Sequence, residues 1–474
     1  MSVERYQCAP RPPLHSRVQA ERSGLHGLVS VVGIRPFRRL WLVLGLSSLG
    51  DWLGLLATAT FASAQVSAPA AQGVAFASVI AVRLLPALAF GPLAGVLADR
   101  FDRRHTMVIA DGFRFLLFAS IPSVGLVVDN PGFVIGWAAF AIFLVEAAGM
   151  VWVPAKEAAV PNLLPRDQLE TANQITLVTT YGITPVLAAA VLAGLTRLPR
   201  LDHGVNHTDL ALYFDALMFL ASALVVLLGI KEISGRADVV SVRRRRGVLA
   251  EIAAGWRYVG HTPIVRGLVV GVLGAFAGGG VVIGTARFYA ISLGGGEATF
   301  AILFAALFVG LGLGITGGPP LVGRLSRRRW FGLSIVFTGA AVASLALAPE
   351  LILAVCAAVA VGAGAGMAFL SGITLLGGEV ADEMRGRVFA VIQTGVRVTL
   401  LLTISAASVL VALRSSNHLA WGALSADVST SRVFMLAAGA CGVAVGLAAF
   451  RQMDDRKGVP VLRDVWNSIA RREG

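Results

Sequence analysis

Four ionisable side chains fall inside long apolar stretches of the sequence: Asp51, Arg83, Glu146 and Arg397. A charge at the centre of a membrane-spanning helix costs about 2.5–3.5 kcal/mol on insertion scales, so such residues usually face a cavity. A buried carboxylate beside an arginine can exchange a proton or form a permanent ion pair. Both interpretations stay open for Asp51 with Arg83 and for Glu146: proton coupling in a solute cavity, or an ion pair that holds helices in register.

A secondary charged pair, Asp111 and Arg114, has i,i+3 spacing, which places both side chains on one face of a helix. We expect these two residues to satisfy each other and to serve mainly a structural purpose. Asp215 and Arg287 fall closer to the ends of their apolar stretches. We predict that they lie near the outer boundary of the membrane, where side chains can extend toward the headgroups.

Patterns for other kinds of chemistry are missing from the sequence. Cys8, Cys356 and Cys441 are far apart and show no zinc-ligand spacing. There is no G-x-x-x-x-G-K-[ST] phosphate loop and no readable nucleophile–base pattern. We therefore predict that the chain is not an enzyme and has no catalytic residue, metal site or cofactor. An ion gradient or the solute's own gradient would then drive any transport.

Composition indicates that most of the outward surface meets lipid. Hydrophobic residues make up 56% of the 474 residues and charged residues only 14%, whereas soluble domains carry about 25% charge. The net charge of +13 raises the question of nucleic-acid binding. Here the cations form short clusters between apolar stretches, as in the cytoplasmic loops of membrane proteins. We therefore exclude nucleic acid as a partner.

The apolar stretches predict an all-α membrane protein with twelve transmembrane helices in two pseudo-symmetric six-helix bundles. A spanning helix needs about 20 mostly apolar residues. The predicted helices are 39–65, 72–97, 106–128, 132–154, 168–195, 210–230, 263–291, 298–323, 330–348, 351–377, 387–413 and 432–450. Similar glycine–proline stretches follow the second helix of each bundle, as expected for two parallel repeats.

The distribution of arginines predicts the orientation. The clusters Arg100 to Arg104, Arg243 to Arg246 and Arg324 to Arg329 all fall in segments on the same side as both termini. Cytoplasmic loops carry the excess of Lys and Arg, so we predict that both termini are cytoplasmic. The resulting division is a disordered polar tail (1–35), a first bundle (36–230), a cytoplasmic linker (231–262), a second bundle (263–450) and a cytoplasmic tail (451–474).

The stretch from Gly91 to Arg104 reads GPLAGVLADRFDRR and follows the second predicted helix. It resembles the signature cytoplasmic loop of the major facilitator superfamily, G-x-L-a-D-r-x-G-r-r. The matching positions are Gly95, Leu97, Asp99, Arg100, Asp102, Arg103 and Arg104, with Asp102 where the family usually has glycine. The resemblance implies a gating motif, in which Asp99 and the loop arginines latch the two halves on the cytoplasmic side. The alternative is a plain basic loop.

Three further stretches narrow the resemblance: Phe37 to Trp41 with Gly50 to Trp52, Val153 to Asn173, and Arg385 to Phe389. Together they look like the branch that includes siderophore exporters, macrolide-type efflux pumps and lysophospholipid transporters. They also resemble the transporter domain fused to thymidylate kinase in some bacterial proteins. The family's export motif in the fifth helix is degenerate here, as Gly182 to Pro185.

These features predict a proton-coupled secondary active exporter of a small amphipathic, drug-like or siderophore-like solute, which works by alternating access. Its cavity would combine the central charges with aromatic residues such as Trp52, Phe61, Trp152 and Phe369. The alternatives are a lipid or lysophospholipid transporter and a membrane scaffold or sensor that does not transport. We expect a monomer in the bacterial cytoplasmic membrane, with lipid, protons and a small solute as partners.

Overall fold

A computed structural model describes most of the chain. The described residues are 31–88, 90, 102–160, 163–164, 168–195, 206–230, 248–322, 326–380, 382–413, 417–421 and 424–456. Most of both predicted terminal tails, residues 231–247 of the central linker and the gating residues Gly95, Asp99 and Arg100 therefore lie outside the described residues.

Within the described residues, twelve helices are long and apolar enough to span a membrane, which confirms the predicted fold class. In chain order they are α1 (Arg35–Ala64), α2 (Pro69–Val82), α3 (Arg103–Val127), α4 (Pro131–Ala159), α5 (Leu169–Val178, a π-helical turn Thr179–Ile183, and Thr184–Leu195), α6 (His207–Gly229), α7 (Pro263–Ser292), α8 (Glu297–Val322), α9 (Arg327–Leu347), α10 (Leu351–Glu379), α11 (Asp382–Leu413) and α12 (Thr430–Met453). A shorter linker helix, Val248–His261, precedes α7.

Proline and short polar residues mark where several of these helices begin. α2, α4 and α7 start at Pro69, Pro131 and Pro263, because proline fixes a helical φ and needs no hydrogen bond for the missing N–H at this position. Asn206 and Asp209 form a capping box at the start of α6. These caps satisfy backbone N–H groups that would otherwise be unpaired at the helix ends.

Two helices depart from the continuous spans that the sequence predicts. The α-helix of α2 ends at Val82, and a turn at Arg83 and Leu84 precedes residues 85–88, which are again helical. Pro86 explains this break, since its ring clashes with the carbonyl four residues earlier. In α5, Pro185 follows the π-helical turn Thr179–Ile183, and π-turns of this kind are frequent at functional sites.

A short hairpin between α11 and α12 is a further departure from the prediction. Its strands, β1 (Asn417–Trp421) and β2 (Leu424–Val428), pair in antiparallel fashion. In β2 the apolar residues Leu424, Ala426 and Val428 alternate with the polar Ser425 and Asp427, which is the pattern of a two-faced strand.

The helices pack chiefly within two groups, α1–α6 (the first half) and α7–α12 (the second half). Because the chain crosses twelve times, α1 begins and α12 ends on one side, here called the terminus side. The opposite side is the far side. The halves meet mainly through α2 with α11 and α5 with α8.

The far-side ends of the two halves are in contact. The ring of Phe288, near the end of α7, lies directly against Gly73, near the start of α2. Ser408 Oγ donates a hydrogen bond to the Gly73 carbonyl at 3.1 Å. The rings of Phe76 and Phe300 meet edge to face with centroids 5.0 Å apart. The far side of the protein is therefore closed at this point.

Glycines let α8 and α10 pack backbone against backbone. A Cβ at Gly314 would overlap the Ala363 carbonyl of α10, and a Cβ at Gly362 would overlap the Leu307 carbonyl of α8. Small residues spaced by four are the usual way in which membrane helices approach this closely.

We expect Gly314→Ala to destabilise the second half, because its methyl group meets backbone atoms that cannot move aside. Gly317→Ala, three residues along the same helix, is the matched control, since nothing lies within 4 Å of a Cβ there. Thermal unfolding of the two purified variants in detergent measures the difference. Equal melting temperatures would contradict the close contact between α8 and α10.

Candidate functional site

Arg83 joins two helices of the first half at the break in α2. Its guanidinium forms an ion pair with Glu146 of α4 and donates a hydrogen bond from Nη1 to the Asp51 carbonyl of α1 at 2.9 Å. Both side chains of this pair remain partly exposed. The predicted pairing of Arg83 with the Asp51 carboxylate is therefore wrong, because Arg83 contacts only the backbone of Asp51.

The Asp51 carboxylate instead faces α3. Arg114 Nη1 lies 3.7 Å from Asp51 Oδ1 and 3.6 Å from Asp111 Oδ1. Its Nε donates to the Val145 carbonyl of α4 at 3.3 Å. Arg114 is almost completely buried, whereas Asp51 is about one third exposed. Here we call Asp51, Asp111 and Arg114 the Arg114 cluster, which connects α1, α3 and α4.

Asp111 is fully buried and is held by two other helices. Its Oδ2 accepts hydrogen bonds from Trp152 Nε1 of α4 at 3.0 Å and from Ser222 Oγ of α6 at 2.6 Å. Gly149 of α4 leaves room for the Arg114 guanidinium, which a Cβ would displace. The ring of Phe219 also faces this guanidinium, 5.2 Å from its centroid. This buried and closely packed arrangement supports the structural interpretation of Asp111 and Arg114.

Arg397 is the charged residue nearest the middle of α11, in the second half. It is partly buried and interacts electrostatically with Glu146 of the first half. Among the described residues, no direct hydrogen bond or ion pair holds its guanidinium. Glu146 therefore pairs with an arginine of its own half and also interacts electrostatically with a cation of the other half.

Two tryptophans of α1 bind the π-helical turn of α5. Trp41 Nε1 donates to Thr179 Oγ1 at 2.9 Å, and Trp52 Nε1 donates to the Thr180 carbonyl at 2.8 Å. Such a turn leaves carbonyls without their usual helical partners, and the Trp52 bond satisfies one of them. Thr184 Oγ1 donates back to the Thr179 carbonyl at 3.0 Å.

Aromatic rings extend this site across the two halves. Trp52 packs edge to face against Phe304 and Phe308 of α8, with centroids 6.0 and 4.7 Å apart. Tyr181 of α5 lies 6.2 Å from Phe369 of α10.

Two of the four aromatic residues predicted to line a cavity are buried in apolar clusters. Trp152 lies in a cluster of first-half residues, and Phe61 in a cluster that also includes Phe300 of the second half. Trp52 and Phe369 contact rings of the other half.

Asp215 is placed differently from the prediction. It is 0% exposed, and neither carboxylate oxygen has a hydrogen-bond partner among the described residues. The expected extension of this side chain toward the headgroups is wrong, because Gly50 and Gly54 of α1 let that helix approach closely enough to cover the carboxyl group.

The described part of the gating motif stabilises the first half. Asp102 caps α3 by accepting a hydrogen bond from the His105 amide at 3.0 Å, which gives a physical reason for aspartate where the family usually has glycine. Arg104 binds the last carbonyls of α6, those of Val226 and Leu227. Arg103 begins α3.

Charged pairs on the terminus side of the second half were not predicted. Arg328 forms a bidentate pair with Glu379 at 2.8 and 2.7 Å, and buried Arg329 pairs with Asp454 at 2.7 Å. The basic run Arg327 to Arg329 was visible in the sequence, but its acidic partners are more than 50 residues away.

The similarities to known proteins agree with this architecture. An MFS-type transporter of Mycobacterium tuberculosis is 28% identical over 414 residues, which cover 84% of this chain and 90% of the relative. Macrolide efflux protein A of Enterococcus faecalis is 29% identical over 151 residues, or 26% of this chain and 46% of that protein.

Solved structures show the same fold at low sequence identity. The nucleoside transporter NupG superposes with a TM-score of 0.64 at 14% identity, covering 89% of this chain and all of that structure. An inward-facing bacterial homologue of the lysosomal transporter Spinster also gives 0.64 at 14% identity, covering 88% and 96%. The sequence profile of the Major Facilitator Superfamily matches residues 40–402, so the chain belongs to this superfamily of membrane transporters.

Proposed function

We propose that this secondary transporter is a proton-coupled exporter of a small amphipathic solute in the bacterial cytoplasmic membrane. The observation that carries the proposal is the excess of acidic over basic groups inside the first half. Among the described residues away from the helix ends, Asp51, Asp111, Glu146 and Asp215 accompany only two arginines, Arg83 and Arg114. Even with Arg397 of the other half included, one carboxylate has no compensating cation.

An uncompensated charge in the membrane interior is costly, so binding of a proton lowers the free energy of this group of side chains. Asp51 and Glu146 are the members that are partly exposed, which allows their protonation to change during transport. Arg83 pairs with the Glu146 carboxylate and contacts only the backbone carbonyl of Asp51, so it compensates the charge of Glu146 directly.

The side chains where the two halves meet support the proposed class of solute. Trp52, Phe304, Phe308 and Phe369 offer apolar surfaces, and Glu146 and Arg397 offer charge, a combination that suits amphipathic molecules. The partial similarity to macrolide efflux protein A supports this class. The arginine distribution along the chain supports a cytoplasmic location for the terminus side.

Glu146→Gln is the direct test, with erythromycin as the probe. We expect the variant to lose erythromycin transport driven by a proton gradient in proteoliposomes. Counterflow, which needs no net proton movement, should persist. Glu350→Gln, an exposed residue that precedes α10, is the matched control and should behave as the wild type.

Several outcomes would contradict the proposal. Wild-type transport that persists after collapse of the gradient excludes proton coupling, and no transport of erythromycin excludes macrolides as solutes. Recovery of gradient-driven transport in the double variant Arg83→Gln with Glu146→Gln would show that the two residues are only a structural ion pair.

A further inference from the structure

The carboxyl group of Asp215 lies in a closed apolar site between three helices. A Cβ at Gly54 of α1 would come within 2.5 Å of Asp215 Oδ2, and one at Gly50 would come within 3.0 Å of Oδ1. The ring of Phe118 from α3 borders the same position, where it stacks on Phe219 at 5.4 Å. Asp215 therefore has neither solvent nor a hydrogen-bond donor among the described residues.

An ionised carboxylate in such a site carries a large free-energy cost. Burial of an unpaired charge is far more costly than burial of the neutral acid, so the group binds a proton instead. The other charged groups that act on Asp215 are Asp51, Arg83 and Arg114. The two arginines already pair with Glu146, Asp51 and Asp111.

The position of Asp215 along the membrane suits proton transfer. It lies eight residues into α6, about 12 Å from the far-side end of that helix. Asp51 directly follows Gly50 on α1. It lies on the terminus side of Gly54, where α1 contacts Asp215. Toward the far side, α1 carries Thr58 and Ser63, whose buried hydroxyl oxygens also have no partner among the described residues. Polar groups thus extend along α1 on both sides of Asp215.

We propose that Asp215 is a proton-binding site of the transport cycle, separate from the aromatic surfaces between the halves. It holds a proton while α1 and α6 are packed at Gly50 and Gly54. When these helices loosen, water enters between them; the O–H bond of Asp215 breaks, the proton passes through this water to form an O–H bond on the Asp51 carboxylate, and the negative charge moves to Asp215. This proposal rests on the proton coupling proposed above and adds a residue that does not contact the solute.

Infrared spectroscopy of the purified protein in nanodiscs tests the resting state without any solute. We expect the wild type at neutral pH to show the C=O stretch of a protonated carboxylic acid. Asp215→Asn should lose this band, and Asp129→Asn, which removes an exposed carboxylate between α3 and α4, should retain it. Absence of the band in the wild type, or its persistence in Asp215→Asn, would overturn the proposal.

A second variant covers the case in which Asp215→Asn does not accumulate. Asp215→Leu should fold, since an apolar side chain suits a site without hydrogen-bond donors. If neither variant accumulates, the carboxyl group is required for folding, and the proposal is overturned.

Transport assays separate this proposal from the wider function. In proteoliposomes with an internal pH dye, erythromycin should drive proton movement in the wild type and in Asp129→Asn but not in Asp215→Asn. If the wild type shows no such proton movement, the proposed exporter function is contradicted. The infrared band still shows whether Asp215 holds a proton in the resting protein. Coupled proton movement that survives in Asp215→Asn overturns the role of Asp215 alone. Transport that follows sodium and ignores pH overturns both the role of Asp215 and the proposed proton coupling.

Discussion

The variant Arg114→Gln is expected to prevent the protein from accumulating in its folded form. Arg114 compensates Asp111, which is fully buried, and Asp51 at the same time. Removal of one partner of a buried ion pair costs on the order of 3–5 kcal/mol. That is a large part of the 5–15 kcal/mol by which typical proteins are stable. Membrane expression and the melting temperature in detergent measure this loss.

Two companion variants decide whether uncompensated charge causes that loss. Asp111→Asn combined with Arg114→Gln removes both charges and should recover much of the melting temperature. Arg83→Gln removes the arginine that pairs with Glu146, an ion pair that is partly exposed, and should cost less. If Arg83→Gln were as destabilising as Arg114→Gln, burial of the Arg114 cluster would not be the reason.

Replacement of Gly73 by leucine should produce a folded protein that does not transport. In the far-side closed arrangement, the Phe288 ring occupies the place of any side chain at position 73. Alternating access requires this arrangement in one part of the cycle, so the larger residue should hold the far side open. Spin labels on the far-side ends of α2 and α7, in a background without native cysteines, should show a longer distance.

The partner ring provides the complementary test. Gly73→Leu with Phe288→Ala should restore both the shorter distance and transport, because the alanine leaves space for leucine. Gly136→Leu is the matched control, since this glycine lies near the far-side end of α4 with nothing within 4 Å of a Cβ. A Gly73→Leu protein that still transports at the wild-type rate would show that this contact is not needed for closure.

The sequence was sufficient for the twelve helices and their type. Apolar stretches of about 20 residues leave few alternatives in a membrane, where the backbone must satisfy its own hydrogen bonds. The break in α2 at Arg83 was also within reach, because Pro86 stands three residues later. The hairpin Asn417–Val428 is short and lies outside the membrane spans, where this constraint does not apply.

Contacts within the site were harder to predict from the sequence. The position of a residue along a helix does not show which neighbouring helix its side chain faces. Asp51 lies near the middle of α1 and Arg83 at the break in α2, yet the Asp51 carboxylate points to Arg114. To predict which of three neighbouring helices the Asp51 side chain faces, one must know how the helices pack as well as their sequences.

The burial of Asp215 could have been predicted from residue spacing in the sequence, although its position along the helix did not indicate it. Asp215 and Ser222 are seven residues apart and share one face of α6, and Gly50 and Gly54 are four apart on α1. A polar face opposite a face of small residues predicts close helix packing, and hence a buried carboxyl group.

The unequal distribution of charge has a consequence for how such a protein diversifies. Among the described residues, the acidic side chains away from helix ends all belong to the first half: Asp51, Asp111, Glu146 and Asp215. Substitutions on the inner faces of α7, α8, α10 and α11 can therefore change the surface offered to a solute without altering an acidic group. Lineages that acquire new solutes should accumulate replacements there, while the first half changes slowly.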